Sequence, residues 1–185
     1  MKRLSFIMQY ILNPRSVGAI LPSSTKLSEK MLQSINFNKA KYIVEYGPGT
    51  GVFTDELIKQ RNKDTMLLII ENNNEFYDLL KNRFEGEKNL FIINDSAENI
   101  EKYLKLYAIP YVDYVISGLP FASLPKDVSC MILDKTNKIL KKEGKFITFQ
   151  YTLFKKGFIG EYFKKIDVKR EFINIPPAYI LSCTN

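Results

Sequence analysis

The sequence predicts an α/β fold: a mostly parallel, seven-stranded sheet with helices on both faces and an antiparallel hairpin at its carboxyl end. Three observations predict it. Strand-length apolar runs, such as residues 66–70 and 112–116, alternate with segments whose apolar positions recur at helical spacing. Several of these runs lack polar alternation, as strands buried on both faces do when crossover helices cover a parallel sheet. The tail then changes character, because residues 168–173 and 179–182 form two strands joined by a link too short for a parallel crossover.

Residues 1–12 form the first expected helix, with Leu4, Ile7, Met8, Ile11 and Leu12 on one face and Lys2, Ser5, Gln9 and Asn13 opposite. Phe6 and Tyr10 widen the apolar side, and Pro14 ends the segment. Such a helix either packs on its own domain or lies in a membrane interface. After a loop, Ser23 or Ser24 is placed to cap a second helix that runs to about Ile35 and carries Leu27, Met31 and Leu32 on one side. Residues 1–35 are thus a helical segment of the same domain, and residues 36–185 hold the alternating elements. Strands are expected at 41–45, 66–70, 90–93, 113–117 and 145–151. Helices are expected at 53–60, 74–84, 99–107, 126–141 and 158–165, the last leading into the terminal hairpin.

A chain of 185 residues with 45% hydrophobic content can bury one sizeable core without crosslinks. Its 25% charged content, with no repeat or low-complexity tract, argues against disorder. The two cysteines, Cys130 and Cys183, lack the paired spacing of zinc or redox sites, so a reduced, cytoplasmic setting is expected and no metal. No apolar run approaches the roughly 18 residues that cross a bilayer. The amino-terminal apolar stretch has no small-residue cleavage site after Leu12, so the segment is expected to stay. The net charge of +7 favours an anionic partner, either nucleic acid or an anionic membrane surface. Complete absence of histidine excludes Ser-His and Cys-His hydrolases and histidine metal centres.

The strongest motif is Glu45-Tyr46-Gly47-Pro48-Gly49-Thr50-Gly51, directly after an apolar strand and before a helix. Glycines there permit a tight turn and close approach of backbone to a ligand. The third glycine follows the second by two residues, unlike the dinucleotide pattern, and no lysine follows as a phosphate-gripping loop requires. Glu71 closes the second strand, 20 residues past Gly51, where its carboxylate is either a solvated strand-end charge or an acceptor for two ribose hydroxyls. Asp95 follows the third strand in Asn94-Asp95-Ser96, as a helix cap or as an acceptor for an adenine amine. Together these positions make one nucleoside-binding crevice at the ends of three successive strands.

With these residues in place the sequence resembles the class I S-adenosylmethionine-dependent methyltransferases over nearly its whole length, which implies a Rossmann-like fold and S-adenosyl-L-methionine as cofactor. The resemblance implies that Glu45, Gly47, Gly49, Thr50 and Gly51 hold the methionine part. It implies that Glu71 and Asn72 hold the ribose, Asp95 and Ser96 the adenine, and that Ser117 borders the same pocket. The fourth strand ends in Ser117-Gly118-Leu119-Pro120-Phe121, where this superfamily places its methyl-acceptor residues. In ribosomal RNA adenine dimethylases the corner begins with Asn, and aligning Pro120 and Phe121 puts Gly118 in that place. The chain is similar to the short bacterial phospholipid N-methyltransferases in its Ser-Gly-Leu-Pro corner, in Asn13-Pro14-Arg15, Val17-Gly18-Ala19-Ile20 and Pro22-Ser23-Ser24, and in the late Asn174-Ile175-Pro176-Pro177-Ala178.

That similarity implies methylation of a headgroup amine such as that of phosphatidylethanolamine, on an enzyme peripheral to the inner face of the cell membrane. Ribosomal RNA or a small amine is the alternative acceptor, and a binding protein without turnover is the alternative of another class. Tyr10, Tyr46, Tyr151 and Tyr179 are candidates to orient the amine.

Overall fold

The computed structural model describes residues 22–171 and 177–185. The helix expected over residues 1–12 lies outside them, as does most of the link 174–178. Seven strands form one sheet: β1 (Tyr42–Tyr46), β2 (Met66–Glu71), β3 (Leu90–Asn94), β4 (Val112–Ser117), β5 (Leu140–Gln150), β6 (Lys165–Glu171) and β7 (Ala178–Thr184). The helices are α1 (Pro22–Leu32), α2 (Val52–Gln60), α3 (Asn74–Arg83), α4 (Ile100–Leu106) with a preceding 3-10 turn (Ala97–Asn99), α5 (Lys126–Ile139) and α6 (Lys156–Gly160). Strand order is β3-β2-β1-β4-β5-β7-β6. β1 to β5 are parallel, and β7 runs antiparallel to both β5 and β6.

Alternating side chains of the central strands feed two cores. Val44, Tyr46, Leu68, Ile70, Val115 and Phe146 point to one face and meet Ile100 and Leu104 of α4 and Ile132 and Leu133 of α5. Ile43, Leu67, Ile69, Ile116 and Ile147 point to the other and meet Leu27, Met31 and Leu32 of α1 and Leu57 of α2. Both faces are therefore covered, which is why β2 reads as an unbroken apolar run.

From β1 to the end of α5 each boundary lies within two residues of its expected place. Four expectations need correction. Helix α1 already begins at Pro22, so Ser23 and Ser24 sit inside its first turn rather than capping it; proline's fixed φ suits a first helical position. β5 starts at Leu140, not 145, because Leu140 pairs with Val112 across an irregular register. The helix expected at 158–165 is the short α6. β6 takes over from Lys165 because its ladder with β7 continues to the Lys165–Thr184 pair.

The amino ends of the central strands are tied by a buried carboxylate. Asp113 Oδ2 accepts from the backbone N–H of Lys41 (2.8 Å) and of Tyr42 (2.9 Å), while Oδ1 pairs with Lys141. Its side chain is 1% exposed, so these partners replace water. Asp113→Ala strands two backbone donors at the start of β1. It is expected to cost about 2–4 kcal/mol, read as a shift in the urea midpoint at unchanged slope. A loss below about 0.5 kcal/mol would mean that water reaches these groups.

Candidate functional site

The parallel strands end in register. Tyr46 lies opposite Ser117 and Ile70, Glu71 opposite Asn94, and Ser117 opposite Thr148. The chain leaves β1 toward β2 on one side and enters β4 on the other, so the loops after β1 and β4 diverge from a switch point where α/β folds hold ligands.

Gly47, Gly49 and Gly51 all adopt the left-handed conformation, with φ of 61°, 58° and 86°. Two of them are also close contacts. A Cβ on Gly47 would stand 2.7 Å from Leu119 Cδ2, and one on Gly51 would stand 2.9 Å from Leu80 Cδ2. Over Gly49 nothing among the described residues lies within 4 Å of that position, so the middle of the loop presents bare backbone to them. The corner after β4 is equally tight, because Gly118 N donates to Tyr46 O at 2.9 Å and a Cβ on Gly118 would stand 2.6 Å from Gly47 O.

Three carboxyl groups stand at this edge in different electrostatic states. Glu45 is 1% exposed; its Oε2 accepts from Thr54 Oγ1 at 2.7 Å and its Oε1 has no partner among the described residues. Burial pushes this carboxyl from its ordinary 4.5 up to about 8, the Thr54 hydrogen bond opposing and the Glu71 and Asp55 carboxylates adding to the rise. Glu71 accepts from Gly49 N (3.0 Å) and Asn73 N (2.9 Å), tying the end of β2 to the glycine loop. Burial also raises its pKa, against the backbone N–H groups of Asn73, Gly49 and Asn72. Asp95 moves the other way. The Tyr103 hydroxyl at 2.5 Å is the main cause; burial opposes it, and Asn99, the Ser96 N–H and Lys102 add to the lowering. Asp95 Oδ1 takes the Ser96 N–H and the Asn99 amide, and Ser96 itself caps the 3-10 turn.

Thr50 and Asn72 are exposed beside these acids, and Thr50 O accepts from Arg83 at 2.7 Å. At the acceptor corner Ser117 is buried and its Oγ accepts from Leu119 N at 3.2 Å. Leu119 and Pro120 are half-buried. Phe121 is fully buried, edge-on to Phe146 at 6.0 Å between ring centroids. Tyr46 is withdrawn from the amine-orienting candidates, since it is fully buried with its hydroxyl 3.4 Å from Thr136 Oγ1 in the core. Tyr151 is exposed and edge-on to Phe149, Tyr179 packs under Arg170, and Tyr10 lies outside the described residues.

Four residues that set this geometry were not singled out by motif. Thr54 holds Glu45, and its only signal is a polar residue on the buried face of α2, three positions before Leu57. Tyr103 and Asn99 hold Asp95, and their spacing of four and eight residues from it is legible as one helix face. Gln150 Nε2 reaches Leu119 O at 3.5 Å across β5 and β4, a contact with no trace in the sequence.

The family model described as ribosomal RNA adenine dimethylase matches residues 15–160. The chain belongs to the ribosomal RNA adenine dimethylase family. It is 26% identical over 180 residues to an ornithine lipid N-methyltransferase of Singulisphaera acidiphila, covering 96% of this chain and 93% of that protein. It is also 27% identical over 188 residues to ribosomal RNA small subunit methyltransferase A of a Sulfurihydrogenibium strain, covering 92% and 70%. Among solved structures, a SAM-dependent methyltransferase from Aquifex aeolicus superposes with a TM-score of 0.65 at 17% identity over 88% of this chain and 93% of that one.

The family and fold make this chain an S-adenosylmethionine-dependent methyltransferase of class I. The carboxyl edge fits that cofactor: among the described residues nothing stands over the Gly49 backbone, which leaves room for it, and Glu45 Oε1 is a buried polar atom without a partner.

Glu45 gives the enzyme a pH signature. Between pH 4.5 and 8 the unfolded chain releases this proton while the folded chain keeps it, so this group removes stability as pH rises through that window. Glu45→Gln preserves an acceptor for Thr54 without a charge to desolvate. It is expected to match the wild type at pH 4.5 and to be more stable by roughly 2–4 kcal/mol at pH 8. Urea titrations at both pH values check this, and a constant difference between the proteins would show that Glu45 is ionised in the fold.

Proposed function

We propose that the enzyme methylates the amine of a membrane-lipid headgroup, of the ornithine lipid or phosphatidylethanolamine kind. The observation that carries this reading is the corner after β4. A methylase that acts on an extruded base grips its edge by hydrogen bonds and stacks it on aromatic or apolar side chains. Here the position of the expected Asn is Gly118, pressed so closely on Gly47 O that a side chain has no place, and the aromatic Phe121 is turned into the core. Neither of these two positions offers a grip on adenine, while a flexible primary amine needs only a narrow opening and backbone acceptors. The ornithine lipid relative supports the same reading, since the likeness runs over 93% of its length against 70% for the ribosomal RNA relative. Family membership and the +7 charge favour RNA as the second reading.

In this proposal Gly47, Gly49, Thr50 and Gly51 cradle the methionine part of the cofactor with Glu45 beneath them. Glu71 with Asn72 holds the ribose, Asp95 with Ser96 the adenine, and Ser117 closes the pocket. S-adenosylmethionine, when bound, supplies an electrophilic methyl carbon. The chain's own part is to align the amine and keep it neutral. Burial at the corner favours the neutral amine over the ammonium, and with Tyr46 engaged in the core backbone carbonyls around Gly118 accept hydrogen bonds from the neutral amine and orient its lone pair. No helix among the described residues is long and apolar enough to cross a membrane. The +7 charge then supports peripheral attachment to an anionic surface.

Glu71→Ala and Asp95→Ala are each expected to weaken cofactor binding by about 1–3 kcal/mol in calorimetric titration; unchanged affinity in both would remove the proposed nucleoside crevice. The acceptor is tested with labelled S-adenosylmethionine, vesicles containing phosphatidylethanolamine or ornithine lipid, and ribosomal RNA in one reaction. Label is expected in the lipid extract, and label in RNA alone would reject this reading. Gly118→Asn should confer no RNA methylation and should weaken cofactor affinity, because the new side chain displaces the Gly47 loop.

A further inference from the structure

Six large apolar side chains are exposed among the described residues. Three of them, Tyr151 at 46%, Leu153 at 41% and Phe154 at 84%, fall within four consecutive positions. The others, Leu79, Leu106 and Met131, stand singly on three different helices. Isolated apolar residues on a surface are ordinary, whereas a projecting cluster marks a contact.

The cluster occupies the turn between β5 and α6, at the carboxyl edge that carries the glycine loop and the acceptor corner. It begins one residue after Gln150, whose amide reaches Leu119 O. Its mount is firm: Lys156 N donates to Leu153 O at 3.0 Å, Ile159 N to Lys155 O at 2.9 Å, and Ile159 is fully buried in the core. Phe154 is thus held out from the body rather than folded onto it. Lys155 Nζ lies 5.9 Å from the Phe154 ring centroid and 5.1 Å from that of Phe158, and Lys156 is exposed beside them.

We propose, resting on the lipid-directed reading, that residues 151–156 form a membrane-inserting ridge that seats the active-site edge on an anionic bilayer. Phe154 and Leu153 enter the acyl boundary and Tyr151 lies at headgroup level. Lys155 and Lys156 extend along the apolar side chains to meet lipid phosphates. The chemistry matches a bilayer better than RNA, since Leu153 offers no flat face to a base while it gains from hydrocarbon. The ridge also stands beside the corner through which a headgroup amine must enter, so insertion shortens the path from bilayer to site.

The chain contains no tryptophan, so Phe154→Trp in the full protein introduces a single fluorophore at the ridge crest. With vesicles of equal parts phosphatidylglycerol and phosphatidylethanolamine, its emission is expected to shift to the blue and to be quenched by brominated acyl chains. Absence of quenching overturns the proposal, as does a shift produced by RNA and not by vesicles. Leu153→Asp combined with Phe154→Asp is expected to weaken vesicle sedimentation about tenfold or more, with cofactor affinity and thermal melting unchanged. Sedimentation equal to the wild type overturns it too; should the double variant not fold, the fluorescence result decides. Methylation of soluble dihexanoyl phosphatidylethanolamine separates the two readings. If that lipid is methylated but the indole is not quenched, the ridge fails and the lipid acceptor stands. If the indole is quenched but no lipid is methylated, the ridge stands and the acceptor falls.

Discussion

The site depends on the contact between two loops that leave neighbouring strands at the switch point of the sheet. β1 and β4 are adjacent and parallel, so the backbone beyond Tyr46 and the backbone beyond Ser117 emerge side by side. There is no room for a Cβ on either: one on Gly47 would meet Leu119, and one on Gly118 would meet the Gly47 carbonyl. Steric exclusion at this point holds the glycine loop in the left-handed conformation, leaves the Gly49 backbone bare and closes the acceptor corner to a side chain. Two bonds lock the arrangement, Gly118 N to Tyr46 O and Gly47 N to Ile70 O, each 2.9 Å long.

Around that contact the protein places carboxyl groups of contrasting character within one edge. Glu45 has a single hydroxyl donor in an apolar setting and holds its proton near neutrality, whereas Asp95 collects four favourable partners at a half-exposed position and stays ionised. The difference follows from desolvation against hydrogen bonding, not from residue type. Glu71 lies between these extremes, because the backbone N–H groups that lower its pKa are those that shape the loop.

The same edge extends beyond the glycine loop and the acceptor corner to the end of β5, where polar chemistry gives way to exposed aromatic and cationic residues. Parallel pairing of β4 and β5 brings the two regions together, Ser117 opposite Thr148 and Gln150 against Leu119. Reactive corner and projecting ridge are consequently parts of one surface, though 30 residues separate Phe121 from Tyr151 in the chain.

By itself the sequence determined the alternation of strands and helices, the parallel sheet with its terminal hairpin, and the glycine loop with acids at the carboxyl ends of β1, β2 and β3. These are legible because they are local: apolar periodicity dictates which element forms, and glycine at a strand end dictates where the chain turns. Only the tertiary structure decided that β5 begins at Leu140, that Phe121 and Tyr46 turn into the core, that Gly118 is sterically required, and that Thr54 and Tyr103 control the states of Glu45 and Asp95. Each of these is settled by register or by contact between segments far apart in the chain. A residue's own neighbours cannot encode whether it faces solvent, core or cofactor once strands pair, because that is decided by what packs opposite.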